Sequence, residues 1–343
     1  MTKQKTESAM KDEFNDVINQ LDHKFGEGTL QFLNNQTCIL KPEQLIKSGS
    51  YYLDKALGVG GFPKGRIIEI FGAESSGKTT IALKAVAQCQ KNGEKAVYID
   101  AEHALNSTYA VQLGVDLNKM VLCQPNSEEQ TFSIIEALIK TNLVNLIVVD
   151  SVAALTPQQE LDGEFGDQTI GLQARIMSKG LRIIQNLLNN NISIIFINQI
   201  RDKIGIGYMS GNATTTSGGR ALKFFSSLRL ETRKTELIKN AEEPIGIRIK
   251  VNVVKNKLAR PLTTALIDLY FGLGFDYDNE VIDVAFENGI IAKNGTWYSY
   301  QNKNIAQGKQ TTRLTILKDH KLFDAIKQEV MDKKLFDLPS QNN

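Results

Sequence analysis

Eight consecutive residues, Gly72-Ala73-Glu74-Ser75-Ser76-Gly77-Lys78-Thr79, follow the spacing G-x-x-x-x-G-K-[ST]. An apolar run precedes them and a helical pattern follows, which is the context in which this string forms a phosphate-binding loop. Glycines let backbone N–H groups close around phosphates at the start of a helix, where anions are favoured. We expect Lys78 to reach the β- and γ-phosphates of a nucleoside triphosphate and the Thr79 hydroxyl to bind Mg²⁺. The alternative, a glycine turn without a ligand, is disfavoured by the strand and helix on either side.

Asp150 ends the apolar run Leu146–Val149, seventy-two residues after Lys78. That distance leaves room for two strand–helix units, so Asp150 can emerge beside the phosphate loop. A carboxylate there would hold Mg²⁺ through water. The alternative is an ordinary Asp at a strand end that caps the next turn together with Ser151.

Hydrolysis of a nucleoside triphosphate also needs a group that orients the attacking water. Glu102 follows a predicted strand on the same edge of the sheet and is the candidate base, although the sequence does not rank it strictly against its neighbours Asp100 and His103. Gln199 follows the run Ile194–Ile197 on that edge. Its amide could sense the γ-phosphate, or it could be a simple hydrogen-bonding residue at a strand end.

Strand-like runs alternate with long helical patterns through the middle of the chain, which predicts an α/β fold with a parallel sheet covered by helices on both faces. The last two strands have no long helix between them and are expected to form an antiparallel extension. The strands are predicted at Ile67–Phe71, Ala96–Ile99, Met120–Cys123, Leu146–Val149, Ile192–Ile197, Ser227–Glu231 and Ile247–Val254, and the long helices at Thr79–Lys91, Glu128–Thr141 and Leu172–Asn190.

The two ends of the chain do not continue the alternation of strands and helices. Apolar residues recur at helical spacing between Met10 and Phe25, and such a short amphipathic helix must pack on the main domain or on another subunit. After Tyr270, a hairpin signal at Asn294-Gly295 is followed by helical segments near Ile305–Lys318 and His320–Phe336, which indicates a small α+β domain. We therefore predict an N-terminal segment (1–35), a core (36–270), a C-terminal domain (271–336) and a short tail (337–343).

Composition excludes several classes of protein. The 343 residues are 42% hydrophobic and 23% charged, as in soluble globular proteins, and this length predicts two or three domains. The cysteines, Cys38, Cys89 and Cys123, contain no C-x-x-C pair, so a disulfide framework or zinc ribbon is not expected. No secretory signal is visible and no apolar run reaches eighteen residues, so we expect a cytoplasmic protein with no membrane partner.

Positive charge is concentrated in one part of the chain. The net charge is +2, but Arg201–Arg260 contains thirteen basic and five acidic residues, a net +8, so the other 283 residues sum to −6. The same part begins with the glycine-rich and threonine-rich stretch Arg201–Gly219, which we predict to be a functional loop without structure of its own. A second polar loop is predicted at Asp162–Thr169, with Arg175 and Arg182 one helical face further along. These features favour contact with the phosphates of a nucleic acid.

The terminal domain offers a second basic surface. Ile291–Lys318 contains five basic residues, no acidic residue and the aromatic residues Trp297, Tyr298 and Tyr300. Interleaved basic and aromatic residues suit nucleic-acid contact, although aromatic residues can equally form a small core. We expect Trp297 to belong to that core and the lysines to form a secondary patch that captures duplex DNA.

Long strings of residues resemble the bacterial RecA recombinases, over about Phe14 to Phe336. The resemblance implies a RecA-like phosphate-loop ATPase core with a mixed, mainly parallel sheet, an N-terminal helix and a small C-terminal α+β domain. The strings that carry it are Gly72–Thr80, Tyr98–Leu105, Val148–Pro157, Phe196–Arg201, Val253–Lys257 and Trp297–Tyr300.

The resemblance also implies roles for residues around a bound Mg·ATP. Residues Gly72 to Thr80 and Asp150 would bind it, Glu102 would activate water, and Gln199 would report the γ-phosphate to the loop that follows. Tyr109 would pack on the adenine, with Asn106 where an Asp is usual. Because ATP lies between subunits in filaments of this family, the neighbour-facing residues would include an N-terminal helix that docks on the adjacent protomer. The interface residues implied are Lys255 and Lys257, which would reach a neighbour's γ-phosphate, and Lys223 and Phe224.

Two loops would bind DNA by the same resemblance, with Ile204 wedged between bases. The sequence does not decide which of Tyr208 and Met209 contacts DNA, and the long acidic tail of many relatives is missing, so we expect no tail-based restraint of duplex binding. The implied activity is DNA-dependent ATP hydrolysis, with filaments on single-stranded DNA, strand exchange with homologous duplex DNA, and self-cleavage of a LexA-type repressor. The residues implied to hold DNA phosphates are Arg175, Ser178, Arg182, Gly218, Gly219 and Arg220.

Two other functions remain open at this point. One is a ring-forming helicase or DNA-repair ATPase built on the same core, although no zinc module, protease-like domain or primase-binding extension is visible. The other is a non-catalytic regulatory filament that displays a surface for repressor self-cleavage.

Overall fold

The computed structural model describes residues 2–26, 40–164, 171–202 and 214–333. The chain divides into two compact units, Met1–Lys41 and Pro42–Asn343. In the first unit, helix α1 spans Thr2–Phe25 and ends at Gly26, whose positive φ of 107° is readily adopted by glycine. None of the helices in the described residues combines the length and the apolar character needed to cross a membrane.

The second unit contains helices and strands that alternate along the chain before a strand-rich and then a helical ending. The helices are α2 (Tyr51–Leu57), α3 (Lys78–Lys91), α4 (Ser107–Gln112), α5 (Glu128–Thr141), α6 (Gln158–Asp162), α7 (Leu172–Leu187), α8 (Ala221–Phe225), α9 (Tyr277–Glu287), α10 (Lys309–Lys318) and α11 (His320–Asp332). The strands are β1 (Leu45–Ile46), β2 (Phe62–Pro63), β3 (Ile67–Gly72), β4 (Ala96–Asp100), β5 (Met120–Cys123), β6 (Leu146–Asp150), β7 (Ser193–Asp202), β8 (Thr214–Thr216), β9 (Leu228–Asn240), β10 (Glu243–Asn256), β11 (Thr263–Tyr270), β12 (Gly274–Phe275), β13 (Ala292–Asn294), β14 (Trp297–Tyr300) and β15 (Lys303–Gln307).

A ten-stranded mixed sheet forms the centre of the second unit, in the order β12-β11-β10-β9-β3-β7-β6-β4-β5, with β8 paired to β7. Neighbours from β9 to β5 are parallel, whereas β9, β10, β11 and β12 pair antiparallel. The predicted α/β class and the antiparallel extension are therefore confirmed. In this topology, β3, β4, β6 and β7 all end at one edge of the sheet.

Side chains of the central strands alternate between two apolar layers, because successive residues of a strand point to opposite faces. Ile67 and Ile194 pack in the layer that contains residues of α5 and α7. Their neighbours Ile68 and Ile195 pack in the other layer, against residues of α3. The sheet is thus buried on both faces, as expected for parallel strands.

The stretch Arg201–Gly219 has more regular structure at its ends than the sequence predicts. Strand β7 continues to Asp202 and pairs antiparallel with β8, with Ile200 opposite Thr216 and Asp202 opposite Thr214. The prediction of a connection without structure of its own is wrong there, because a strand can extend through polar residues when a partner strand supplies hydrogen bonds. Residues 203–213 lie outside the described residues.

The C-terminal region, residues 271–333, corrects two further predictions. Ile305 belongs to β15, and α10 begins only at Lys309, so the predicted helix Ile305–Lys318 starts too early. Trp297 is 45% exposed and does not form the core. It opens β14 opposite Asn294 and Gln307, at the end of a three-stranded sheet. The hairpin at Asn294-Gly295 is confirmed.

Two helices end earlier in the structure than the sequence predicts. Helix α7 stops at Leu187 rather than Asn190, and Leu188 is already extended. Helix α11 stops at Asp332 rather than Phe336, and residues 334–336 lie outside the described part of the chain. Strands β9 and β10 are longer than the predicted Ser227–Glu231 and Ile247–Val254, because their far ends form an exposed hairpin that carries no apolar pattern.

Candidate active site

The phosphate loop lies where the sequence predicts it, between β3 and α3. Glycine is required at Gly72, because a Cβ there would come within 2.3 Å of the Thr232 carbonyl oxygen. Gly77 has a φ of 88°, which a residue with a side chain rarely adopts. The Ser76 hydroxyl closes the loop from inside, since it donates to the Ala73 carbonyl at 2.7 Å and lies 2.6 Å from the Thr232 hydroxyl.

Lys78 is folded into this loop and is only 8% exposed. Its Nζ donates to the carbonyl oxygens of Ala73, at 2.6 Å, and Gly72, at 3.2 Å. Burial lowers the pKa of Lys78, while the carboxylates of Asp150 and Glu102 oppose that shift. An anion held by the loop would stabilise the ammonium form further, as is expected of a lysine that binds phosphates.

Thr79 and Asp150 meet at the edge of the sheet. The Thr79 hydroxyl donates to Asp150 Oδ2 at 2.9 Å, and the buried Tyr98 hydroxyl donates to the same oxygen at 2.7 Å. Burial raises the pKa of Asp150, and these two hydrogen bonds oppose the shift. A hydroxyl and a carboxylate beside a phosphate loop are hard oxygen ligands that fit Mg²⁺. Because the described residues contain no cluster of three or more acidic, His or Cys ligands, phosphate and water oxygens would complete such a site.

The three candidates for the catalytic base have different surroundings. The carboxylate of Asp100 accepts hydrogen bonds from the backbone N–H groups of Ala104 and Leu105, at 3.2 and 3.1 Å, and so orders the turn that follows β4. Glu102 Oε1 instead accepts from the Gln199 side-chain amide at 3.0 Å and from the Ser151 hydroxyl. His103 is exposed. Of the three, Glu102 is the one bonded both to Ser151, which follows β6, and to Gln199 of β7.

A cavity of about 390 Å³ opens beside the loop. Tyr109 lines it, and its hydroxyl lies 2.8 Å from the Thr80 hydroxyl. Asn106 does not line this cavity; it lines a smaller one of about 130 Å³ together with Thr79, Glu102 and Asp150. Its Oδ1 caps α4 by accepting from the Tyr109 N–H at 2.9 Å.

Sequence reasoning missed one wall of the larger cavity. Ile247 and Leu269 come from the antiparallel extension, and Phe271 and Gly272 follow β11. They lie at least 167 positions after Thr80 in the sequence, and no local motif marks them. Tyr98 was also missed, because a tyrosine within an apolar strand indicates only burial.

Lys255 and Lys257 do not line either cavity at the loop. Lys255 pairs in register with Arg229, which in turn pairs with Glu69, three residues before Gly72. The Lys255 ammonium donates to the carbonyl oxygens at the end of α8, those of Lys223 at 2.8 Å and Phe224 at 3.0 Å. The predicted interface residues therefore form one group, in which the Phe224 side chain is 67% exposed.

The residues predicted to hold DNA phosphates lie around α7. Arg175 and Arg182 are exposed on this helix, with Ser178 between them on the same face. Gly218 and Gly219 have positive φ angles, and a Cβ on Gly219 would lie 2.9 Å from Cβ of Ala174, so the backbone there approaches α7 closely. Arg220 follows at the start of α8. Ile204, Tyr208 and Met209 lie outside the described residues.

Comparison with known proteins agrees with this architecture. The model of the RecA N-terminal domain matches residues 12–276, and that of the RecA C-terminal domain matches residues 279–335. Protein RecA of Chlorobaculum tepidum is 49% identical over 93% of this chain and 92% of its own length. Protein RecA of Malacoplasma penetrans is 49% identical over 92% of this chain and 94% of its own length. Protein RecA of Staphylococcus carnosus is 48% identical over 92% of this chain and 87% of its own length. The chain belongs to the RecA family.

Proposed function

We propose that this protein is a DNA-dependent ATPase that assembles on single-stranded DNA and catalyses homologous pairing and strand exchange in recombinational repair. The observation that carries the proposal is the hydrogen bond from the Gln199 amide to Glu102. It joins the candidate base to β7, the strand that leads into the stretch 203–213. Membership of the RecA family and the name of the relatives support the same function.

Each residue has a task that follows from its position. Lys78 would bind phosphate oxygens, and Thr79 and Asp150 would hold Mg²⁺, which would supply positive charge to neutralise the phosphates. Glu102 orients a water molecule and accepts its proton as that water attacks. Ser151 donates to Glu102 and keeps the carboxylate directed toward the site.

Communication with DNA would run through Gln199 and its neighbour. The Gln199 N–H donates to Asn198 Oδ1 at 2.9 Å, and the Asn198 side-chain amide donates to the Ser217 carbonyl at 3.1 Å. Asn198 therefore ties the strand that enters the stretch 203–213 to the residues that leave it. DNA bound by this stretch would change the position of Gln199, and hence of Glu102, which accounts for an ATPase that responds to DNA.

The family also supports self-association into a helical filament. We infer that Lys223, Phe224, Lys255 and Lys257 face a neighbouring subunit, where the two latter lysines reach its ATP, and that α1 docks on that neighbour. Promotion of LexA-type repressor self-cleavage in the DNA-damage response, a cytoplasmic location and the domain limits given above belong to the same proposal.

The test is ATP hydrolysis by the full chain with and without single-stranded DNA, together with a strand-exchange assay on homologous duplex DNA. We expect strong stimulation of hydrolysis and formation of exchanged product, with filaments visible by electron microscopy. Unwinding of a forked duplex without filaments would favour the helicase alternative. An ATP hydrolysis rate that is unchanged by single-stranded DNA, together with an absence of strand-exchange product, would refute the proposal.

A further inference from the structure

A second cavity is lined by residues of α3, α9 and α11 and by residues that precede α2. Its volume is about 550 Å³, larger than the cavity of about 390 Å³ beside the phosphate loop. The two cavities have a common wall, residues 271–275: Phe271 and Gly272 line the first, and Leu273 and Phe275 line the second. We call the second one the lysine cleft, because four lysines line it: Lys47, Lys84, Lys91 and Lys327.

Lys84 is the central cation of the lysine cleft. It is half-buried, and within the described residues its ammonium forms no hydrogen bond or ion pair. Burial lowers the pKa of Lys84, and the nearby Lys91 adds to that shift, while Asp276 and Glu280 oppose it. A half-buried ammonium without a direct partner is costly, so an anion in the cleft would relieve both the burial and the repulsion.

The position of Lys84 is fixed by two close glycines. A Cβ on Gly274 would lie 2.5 Å from Lys84 Cε, and one on Gly49 would lie 3.3 Å from Lys84 Cβ. Both glycines have positive φ angles, so the backbone on each side leaves room for the lysine stem. Lys327 is also held, with its Nζ 5.3 Å from the centre of the Tyr277 ring. Lys84 and Lys327 are thus oriented before any ligand arrives.

The carboxylates around the cleft are mostly engaged elsewhere. Asp276 accepts from the N–H of Asn279 at 3.1 Å as the cap of α9, and Asp54 accepts from the Ser48 N–H at 2.9 Å. Glu280 accepts from the Ser50 hydroxyl. Asp278, an exposed residue of the first turn of α9, lines the cleft. Lys47 is engaged as well, since its ammonium donates to the Gly60 carbonyl oxygen at 2.6 Å and lies 3.8 Å from the Asp54 carboxylate. The other three lysines face two lining carboxylates, of which Asp276 is already bonded, so positive charge remains in excess.

We propose that the lysine cleft is a second anion site, which binds a compact ligand with two or three linked phosphate groups. Linked phosphates match several ammonium groups converging on one cavity, and the volume exceeds that of the cavity proposed for a nucleotide. Lys84 and Lys91 approach the ligand from α3, and Lys327 approaches it from α11. The ligand chemistry is shared by inorganic polyphosphate and by the phosphate chain of a free nucleotide.

Lysine-reactive footprinting of the full chain, read by mass spectrometry in metal-free buffer, separates this site from the phosphate loop. Inorganic tripolyphosphate should protect Lys84, Lys91 and Lys327 at least several-fold, independently of Lys78. Exposed Lys140, paired with Glu136 on α5, is the internal control. Protection by ATP but not by tripolyphosphate would assign the site to nucleotides, whereas protection by both would mean that the phosphate chain suffices. Protection by single-stranded DNA alone, or by none of these probes, would overturn the proposal.

Variants give an independent measurement. Lys84→Gln in a Lys78→Ala background should weaken tripolyphosphate binding in calorimetry by about tenfold or more, and Lys327→Gln should also weaken it. Lys140→Gln, in the same background, should leave the affinity unchanged. Circular dichroism and thermal melting check that each variant is folded. If the folded Lys84→Gln and Lys140→Gln variants bound tripolyphosphate with equal affinity, the proposed anion site would be refuted.

Discussion

Asp100 and Glu102 stand two residues apart after β4, and their neighbours give the two carboxylates different tasks. The Asp100 carboxylate accepts hydrogen bonds from two backbone N–H groups and, at 3.2 Å, from the Gln124 side-chain amide. Asp100 therefore stabilises the turn that follows β4. Glu102 accepts only from side chains, those of Ser151 and Gln199. The sequence places both residues at the correct edge of the sheet but does not separate their roles, because hydrogen-bond partners come from distant strands.

We therefore expect different results from two conservative changes. Glu102→Gln should lower kcat for ATP hydrolysis by about 100-fold or more, because the amide cannot accept the proton of water, while nucleotide binding and thermal stability persist. Asp100→Asn should instead lower the free energy of unfolding by about 1–3 kcal/mol, because one acceptor oxygen is lost. Steady-state kinetics and denaturant unfolding of both variants decide the matter. Unaltered turnover in Glu102→Gln would remove Glu102 from its role.

The Tyr98 hydroxyl should lower the pKa of Asp150, the candidate magnesium ligand. Its hydroxyl donates to Asp150 Oδ2 and stabilises the ionised carboxylate, against a burial that raises the pKa of Asp150. Tyr98→Phe removes that hydrogen bond, so the pKa of Asp150 should rise further and the acid limb of the pH–rate profile should move to higher pH. The Mg²⁺ concentration for half-maximal hydrolysis should increase by roughly tenfold, as about 1–1.5 kcal/mol is lost.

Tyr52→Phe is the matched control for this change, because its hydroxyl bonds Glu287 rather than the magnesium ligand. Both variants remove a single tyrosine hydroxyl, and melting curves report any general loss of stability. If Tyr98→Phe and Tyr52→Phe gave the same acid limb and the same Mg²⁺ requirement, Tyr98 would have no influence on Asp150.

At the scale of elements, a buried polar network joins three neighbouring strands. Glu69 of β3 is fully buried and accepts from the Arg229 guanidinium of β9 and, at 3.0 Å, from the Asn198 amide of β7. The Arg229 guanidinium also lies 4.4 Å from the centre of the Phe71 ring. These contacts fix the strands on either side of β3 and therefore the position of the phosphate loop at its end.

Removal of one partner should leave an uncompensated buried charge. Glu69→Gln should lower the free energy of unfolding by about 3–5 kcal/mol. The double variant Glu69→Gln/Arg229→Met should be less destabilised than the sum of its single variants, since it removes both charges. Urea unfolding of the four proteins in this cycle measures the coupling. Strict additivity would show that the two side chains do not act as a pair.

The sequence predicts best those helices and strands whose type and ends are determined by their own residues. Helix α5 matches its prediction because Ser127 caps its start, accepting from the Gln130 N–H at 3.2 Å, and Asn142 ends it with a φ of 53°. The predicted core strands differ from β3 and β6 by one residue. Strand β15 was missed because its first half is polar, and its partner β14 supplies the hydrogen bonds that hold it.

At the scale of the whole molecule, the candidate site depends on parts of the chain that are far apart. The motif residues at Gly72–Thr79 and Asp150 could be predicted, since local chemistry marks them. The wall formed by Ile247, Leu269 and Phe271 could not, because apolar residues in strands signal burial and do not say what they face. The lysine cleft could not be predicted for the same reason, since its cations come from three separate segments of the chain.

The C-terminal region is fixed to the rest of the second unit through Glu280 of α9. Its two carboxylate oxygens accept from the Ser50 hydroxyl, at 3.0 and 2.9 Å, and one of them accepts from the Tyr52 N–H at 3.2 Å. Ser50 is the N-cap of α2, so a side chain of α9 satisfies the start of a helix in the core. Burial raises the pKa of Glu280 to about 7, and the nearby carboxylate of Asp54 adds to the shift.

This burial predicts a pH-dependent stability. Because the pKa of Glu280 is about 7 when folded and 4.5 ordinarily, the folded chain binds more protons between these values, and the free energy of unfolding should fall as pH rises through this range. Glu280→Gln removes the titration, so the difference in unfolding free energy between wild type and Glu280→Gln should change between pH 4.5 and 7 and level off above it. Glu136→Gln, on the exposed face of α5, is the control in urea titrations. A difference that stays constant with pH would contradict a protonated Glu280 in the folded state.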